Sequence, residues 1–273
     1  MAKITAYTAA TRFGSGDVIL KDGNAGTMKM AVANAAVEFA GLVSSVQHRN
    51  VYRGKSLGTS ITSEQKAAIS AGTFDDLFIG DYWTLNSVAY EIADMDYWYN
   101  CGDTAFTKHH LVMVPRSSLY NAQMNETNIT TGGYTGSKMY TENLETAKTT
   151  ISAAFGDMLL THREYLTNAV TDGHPSGGAW FDSDVELMNE IMVYGSLIYA
   201  PAGDGSVTPT RYTIDKQQLA LFALNPRRAN IRITYWLRDV VSSAAFASVS
   251  NTGRAAYYGA SASFGVRPVF AIG

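Results

Sequence analysis

Cysteine is nearly absent from this chain, whose 273 residues include only Cys101. That excludes an intrachain disulfide and any zinc site built on several thiolates, and it fits synthesis in a reducing compartment. Charge is sparse too, at 16% of residues with a net charge of −3, so the basic footprint of a nucleic-acid binder is missing. No apolar run reaches the roughly 18 residues that a membrane-spanning helix needs. The opening Met1-Ala-Lys-Ile-Thr5 lacks the apolar stretch of a signal peptide. Proline is scarce, at six residues, whereas glycine (24) and tyrosine (16) are plentiful and hydrophobic residues make up 46%. That is enough apolar material for one large domain or two modest ones, and it predicts a loop-rich mixed fold with exposed rings.

The first 75 residues differ in style from the rest. Asp17–Lys21 reads as a strand, Asp22–Gly26 as a turn and Thr27–Met30 as the returning strand. Met30–Val43 predicts a helix with Val32, Ala36, Phe39 and Val43 on one stripe, serving either a core helix or the short axis helix of a homo-oligomer. Thr62-Ser63-Glu64-Gln65 is a capping box that opens a short helix, which Gly72 stops. A boundary near residue 75 then divides the chain into 1–75 and 76–273. Further on, Phe78–Leu85 and Val88–Ala93 flank Asn86-Ser87 as a hairpin, and Leu111–Val114 is a buried strand stopped by Pro115. Helices are predicted over Thr141–Phe155 and Asp182–Tyr194. Ile231, Ile233, Tyr235 and Leu237 alternate with Arg232, Thr234 and Trp236 as a half-buried strand. Val266–Ile272 is a final strand, in which Pro268 marks an edge or a bulge. The expected class is α+β.

Few residues invite a catalytic reading. His109 and His110 are adjacent, so on a strand they point to opposite faces and make a poor ligand pair. His162-Arg163-Glu164 reads as structural. Asp182, Asp184 and Glu186 resemble a calcium run but lack the loop glycine and terminal glutamate; they fit an acidic helix N-terminus. Gly132–Lys138 has the wrong spacer for a phosphate-binding loop, and neither a nucleophile elbow nor a dinucleotide fingerprint occurs. No catalytic residue, metal or cofactor is expected.

The stretch Ser242–Phe264 is written mainly in Ser, Ala, Gly and Tyr with a single arginine, Arg254, which is close to the alphabet of an antibody paratope. No Lys, Glu, Gln, Met or Trp occurs from Leu237 to Gly273. These five types share one property: none has a codon ending in a pyrimidine. Every residue of Ser242–Phe264 has one. A small-residue β-hairpin would also avoid Lys and Glu on a packed face, so composition alone leaves both explanations open.

Tyr235-Trp236-Leu237-Arg238 and Gly265-Val266-Arg267-Pro268-Val269 bracket that stretch. The arrangement resembles the formylglycine-generating-enzyme-like branch of the C-type-lectin fold, whose bacterial and phage members end in a Trp-Leu-Arg strand, a variable hairpin and a Gly-Val-Arg-Pro strand. Gly80-Asp81-Tyr82, Gly133-Tyr134-Thr135-Gly136-Ser137-Lys138-Met139 and Met158-Leu159-Leu160-Thr161-His162-Arg163-Glu164 resemble the family's earlier motifs, in the same order. The resemblance covers residues 76–273. It implies a variable protein of a phage diversity-generating retroelement, in which template adenines are altered and Asn codons become any codon with a pyrimidine in third place. The variable region would span about 235–270. Diversified, ligand-binding positions would be Ala245, Ser248, Ser250, Thr252, Arg254, Ala256, Tyr257, Tyr258, Gly259, Ala262 and Phe264. Framework positions would be Phe246, Ala247, Val249, Gly253, Ala255 and Ala260. Trp236, Leu237, Val249, Val266 and Phe270 would pack the scaffold, while Arg238 or Arg267 would pair with Asp239 or bond to carbonyls instead.

The family's oxidases rely on cysteines, and Cys101 lies outside the terminal strands, so the expectation is a binding protein rather than an enzyme. The calcium-site motifs of sugar-binding lectins are missing as well, which implies calcium-independent recognition. The resemblance implies a virion protein at a tail or fibre tip, made in the host cytoplasm, that binds a protein or glycan receptor on the host cell surface. Residues 1–75 would attach it to other virion proteins. A homo-oligomer, in particular a trimer, is expected, with neither nucleic-acid binding nor membrane insertion. The alternative is a structural capsid or tail decoration protein whose hairpin packs against a neighbour.

Overall fold

The structure, a computed structural model, describes residues 48–201 and 217–273 together with the backbone of 18–21 and 28–31. The chain is of mixed α+β class, with many strands and few helices. Strands β1 (Val18–Lys21) and β2 (Met28–Ala31) pair antiparallel with Val18 opposite Ala31, much as the flanking patterns predict. The turn between them lies outside the described residues. Met30 and Ala31 belong to β2, so the helix predicted from Met30 does not start there; its remaining span also lies outside the described residues.

Helix α1 (Ser63–Ser70) carries the predicted capping box. Thr62 Oγ1 accepts the Gln65 N–H at 3.2 Å, and Gln65 Oε1 accepts the Thr62 N–H at 3.0 Å. The helix ends before Gly72, which adopts a left-handed φ of +68°. The chain does not break near residue 75. Ile69 and Phe74 share one apolar core with Leu77, Ile79 and Trp83. Tyr52 and Ser56 bridge to Ile79 and Tyr82, and Arg49 and Arg53 pair with the buried Asp94 and Asp81. Residues 48–75 therefore build the same body as the segment after them.

Strands β3 (Tyr82–Leu85) and β4 (Val88–Met95) form the predicted hairpin around Asn86 and Ser87, both at positive φ as a tight two-residue turn demands. Next come β5 (Leu111–Pro115) and β6 (Tyr120–Gln123). The helix expected over 141–155 forms in two parts, a π turn over Met139–Asn143 and α2 (Glu145–Phe155). Ala147, Ile151 and Phe155 recur every four residues on the buried face of α2. After the short β7 (Leu159–Leu160), β8 (His162–Thr171) and β9 (His174–Ser183) make a long two-stranded ribbon.

The helix predicted over Asp182–Tyr194 is not there. Asp182 and Ser183 end β9, Val185–Leu187 is a strand (β10), and only Glu190–Tyr194 is helical (α3), capped by Asn189. β10 is buried on both faces; such a strand shows no alternation, and its apolar residues imitate a helical stripe. After α4 (Ala220–Leu224) and a 3₁₀ turn over Pro226–Ala229, β11 (Tyr235–Ser242) begins four residues later than the alternation suggests. Arg232 sits at a φ of +64° and breaks the extended run, Ile233 is exposed, and both faces of β11 are covered at its start. Strands β12 (Ala245–Val249), β13 (Ala255–Gly259), β14 (Ser263–Val266) and β15 (Pro268–Ile272) complete the chain.

One sheet runs β10-β15-β5-β4-β3, with β7 also paired to β15; the other runs β13-β12-β11-β14-β6. The strand predicted over 266–272 is thus two strands that belong to different sheets. Pro268 opens β15, where a missing N–H costs no ladder bond, and β15 is central rather than at an edge. Between the two strands, the buried Arg267 donates to the carbonyls of Pro115 (2.9 Å) and Arg228 (3.0 Å) and to the Tyr235 hydroxyl (3.2 Å).

Candidate functional site: a tyrosine-bearing edge strand

In the second sheet, Trp236 lies opposite Ser248, Ser248 opposite Ala256, and Phe246 opposite Tyr258. The inner strands are sealed: Trp236, Leu237, Phe246, Ala247, Val249 and Val266 are fully buried, as is Phe270 in the neighbouring sheet. β13 is the edge strand, and there the side chains emerge: Tyr257 is 51% exposed and Tyr258 43%. Neighbouring side chains leave a strand on opposite sides. Tyr257 meets Tyr199 edge-on at 5.0 Å, whereas Tyr258 meets Phe264 at 4.7 Å. Phe264 in turn lies 5.1 Å from Trp236, whose indole N–H donates to the Ala122 carbonyl at 2.9 Å. A row of rings thus runs from the buried scaffold to the surface.

Two turns flank β13. In the first, the Ser250 N–H donates to the Arg254 carbonyl (2.8 Å), the Arg254 N–H donates to Ser250 Oγ (3.1 Å), and the Tyr194 hydroxyl donates to the Gly253 carbonyl (3.2 Å). Gly253 has a φ of +84°, and a Cβ on it would come within 3.2 Å of the Asn230 backbone. In the second turn, Asn128 Oδ1 accepts from both the N–H (3.0 Å) and the hydroxyl (2.8 Å) of Ser261. A Cβ on Gly259 would meet that same Oδ1 at 2.5 Å.

The expected ligand-binding positions divide by burial. Thr252, Arg254, Tyr257 and Tyr258 are exposed, and Ser250, Ala256, Gly259, Ala262 and Phe264 are partly so. Ala245 and Ser248 are a correction: both are buried on the inner strand β12 and reach no surface partner. Among the framework positions, Phe246, Ala247, Val249 and Ala260 are buried, while Gly253 and Ala255 are half-buried. Tyr199 and Asn128 join the face although nothing in the local sequence marks them. Tyr199 is placed by the buried Glu190, whose carboxylate accepts the N–H groups of Ile198 (2.8 Å), Tyr199 (3.1 Å) and Ala200 (3.0 Å).

Beneath the sheet lies a buried polar network. Arg238 Nη1 is 2.6 Å from Glu164, and His162 Nε2 is 3.1 Å from the same carboxylate. Burial pushes the Glu164 carboxyl up, but Arg238 and His162 outweigh it and hold the group below its ordinary value. Glu186 accepts from the hydroxyls of Tyr134 (2.8 Å) and Ser183 (2.6 Å). Burial, with the Glu164 charge nearby, raises its carboxyl to about 7. Asp239 Oδ2 accepts the Glu190 N–H at 2.7 Å, and Arg267 follows the carbonyl-bonding alternative.

The residues singled out for metal chemistry do not converge. His109 Nδ1 meets Asp96 at 2.8 Å on a half-exposed side, and its ring stacks on Tyr99; His110 is buried against Trp98, which drives its pKa down to about 4. Asp182 pairs with Arg163, Asp184 faces Lys148, and Glu186 is internal, so this run is neither a calcium loop nor a helix start. Among the described residues, no group of three His, Cys, Asp or Glu side chains is placed to hold a metal ion, and no helix is long and apolar enough to cross a membrane. Comparison with protein-family models, curated proteins and solved structures gives no match for this chain.

Proposed function

We propose that this chain is a receptor-binding protein of a phage virion, with a C-type-lectin-like scaffold that presents a retroelement-diversified surface to the host cell. The observation that carries the reading is the partition within residues 245–264: Phe246, Ala247, Val249 and Ala260 are buried, and the exposed side chains are Asn251, Thr252, Arg254, Tyr257, Tyr258 and Ser263, on an edge strand, its first turn and the start of β14. Tyr257, Tyr258, Phe264 and Arg254 serve as anchors, because aromatic residues and arginine dominate interface energies. The motifs that carry the family resemblance also meet physically. Glu164 pairs with Arg238, and Tyr134 reaches Glu186 beside them. Recognition is calcium-independent and gains strength from many virion copies, with a trimer and attachment through the N-terminal residues as part of the same proposal.

The test is adsorption of virions to host cells. Tyr257→Ala together with Tyr258→Ala should abolish adsorption while the melting temperature holds. Unchanged adsorption sinks the reading. A structural decoration protein is the second reading, favoured by the open hydrogen-bonding edge of β13, which another subunit could extend. The nucleotide sequence separates the two: a nearby near-copy of codons 235–270 with adenines at the mismatches belongs only to the first.

A further inference from the structure

We infer that the cleft between the 226–232 loop and the first turn of the β12–β13 hairpin binds the oxyanion of an acidic saccharide, either a carboxylate or a phosphate ester. The inference deepens the receptor-binding reading and rests on it. The cleft measures about 540 Å³ and is lined by Pro226, Arg227, Asn230, Arg232, Thr252 and Gly253, a size within the range of small-ligand sites. It carries two guanidiniums and no carboxylate.

The local charge runs against that of the whole chain. Residues 225–254 contain five arginines and one carboxylate, Asp239, in a protein of net charge −3. Two of the five are committed: Arg228 donates to Glu91 at 3.0 Å, and Arg238 pairs with Glu164 at 2.6 Å. Arg227, Arg232 and Arg254 are exposed, and among the described residues none of the three forms an ion pair. Guanidinium forks match the geometry of carboxylate and phosphate oxygens.

Backbone geometry singles out Arg232. Its φ of +64° lies in the left-handed region, where glycine or asparagine is at home and a long side chain is strained. The Asn230 side chain holds it there by accepting the Arg232 N–H at 3.0 Å. Strain kept at a cleft points to a use for the side chain. A saccharide is favoured over a bare ion by the surroundings. The Thr252 hydroxyl and the Asn230 amide line the same cleft. Both can bond to sugar hydroxyls, so a ring held there would bring its acid group to the arginines.

The experiment titrates the full chain with galacturonic acid trimer, glucose 6-phosphate and neutral galactose trimer by calorimetry. An acidic probe should bind, weaken as salt is raised, and bind at least tenfold more weakly to Arg232→Gly and to Arg227→Gln, while the neutral trimer shows no binding. Arg232→Gly should melt at the same temperature or higher, since glycine relieves the strained φ, so a loss of binding cannot be ascribed to unfolding. Preference for one acidic probe identifies the carboxylate or the phosphate ester as the natural group. Binding of neutral galactose as tight as that of the acids, no binding of either acid, or unchanged affinity in both arginine variants overturns the inference. If virions with the tyrosine substitutions fail to adsorb while those with the arginine substitutions adsorb normally, the receptor reading stands and this inference falls.

Discussion

Tyr258 and Phe246 sit opposite each other on neighbouring strands, yet one is a surface ring and the other a core ring. Truncating both exposed tyrosines, Tyr257 and Tyr258, to alanine should move the melting temperature by no more than about 2 °C, because surface substitutions usually stay within about 0.5 kcal/mol. Phe246→Ala should cost about 3–5 kcal/mol through the cavity it leaves, read by urea unfolding. Glu186 predicts a pH effect with a definite sign. Its folded carboxyl holds a proton up to about 7, whereas the unfolded chain releases that proton near its ordinary value. The native state therefore binds more protons across that window, and its stability falls as pH rises through it, then levels off. Glu186→Gln removes the effect, so the variant should gain on the wild type between pH 4 and pH 8, by on the order of 3 kcal/mol. A difference that stays flat with pH would contradict this.

Elements legible in the sequence are those fixed by neighbours along the chain. The capping box of α1 and the Asn86-Ser87 turn each satisfy their own backbone groups locally, and both form as read. Thr62→Ala should cost about 1 kcal/mol of unfolding free energy. β10 is illegible for the opposite reason, because a strand covered on both faces leaves no alternation to find. The start of β11 is missed because the alternation over 231–237 carries no mark of the left-handed Arg232 that interrupts it. Cover on both sides also hides Ala245 and Ser248: every residue of β12 is buried, so neither of its faces is free. Arg254 and Thr252 are legible as surface residues because polar residues around Gly253 mark a turn, and Tyr257 and Tyr258 because they stand out from a run of small residues. Tyr199 is not, since its position depends on a buried carboxylate that gathers the loop around itself. Gly259 is held by its surroundings, since a Cβ there would meet Asn128 Oδ1 at 2.5 Å. Gly259→Ala should push Asn128 away from Ser261, lowering stability by about 1–2 kcal/mol; a melting curve identical to the wild type would refute that.

At the scale of the molecule, the core decides where the chain can be cut. Residues 48–75 supply Ile69 and Phe74 to it, and Arg49 and Arg53 to two buried carboxylates. Deleting residues 1–75 strips Ile69 and Phe74 from the core and leaves the buried Asp81 and Asp94 without Arg53 and Arg49. An abandoned buried charge costs about 3–5 kcal/mol for each broken pair, so the shorter piece should be insoluble or unfolded, which circular dichroism reads directly. The placing of β15 carries this further. The ribosome makes that strand only after residues 250–264, yet it lies between β5 and β10 in the middle of the first sheet. A frameshift or premature stop anywhere in the exposed stretch removes the strand that joins β5 to β10. The order of synthesis thereby makes the first sheet depend on a reading frame kept intact through residues 250–264.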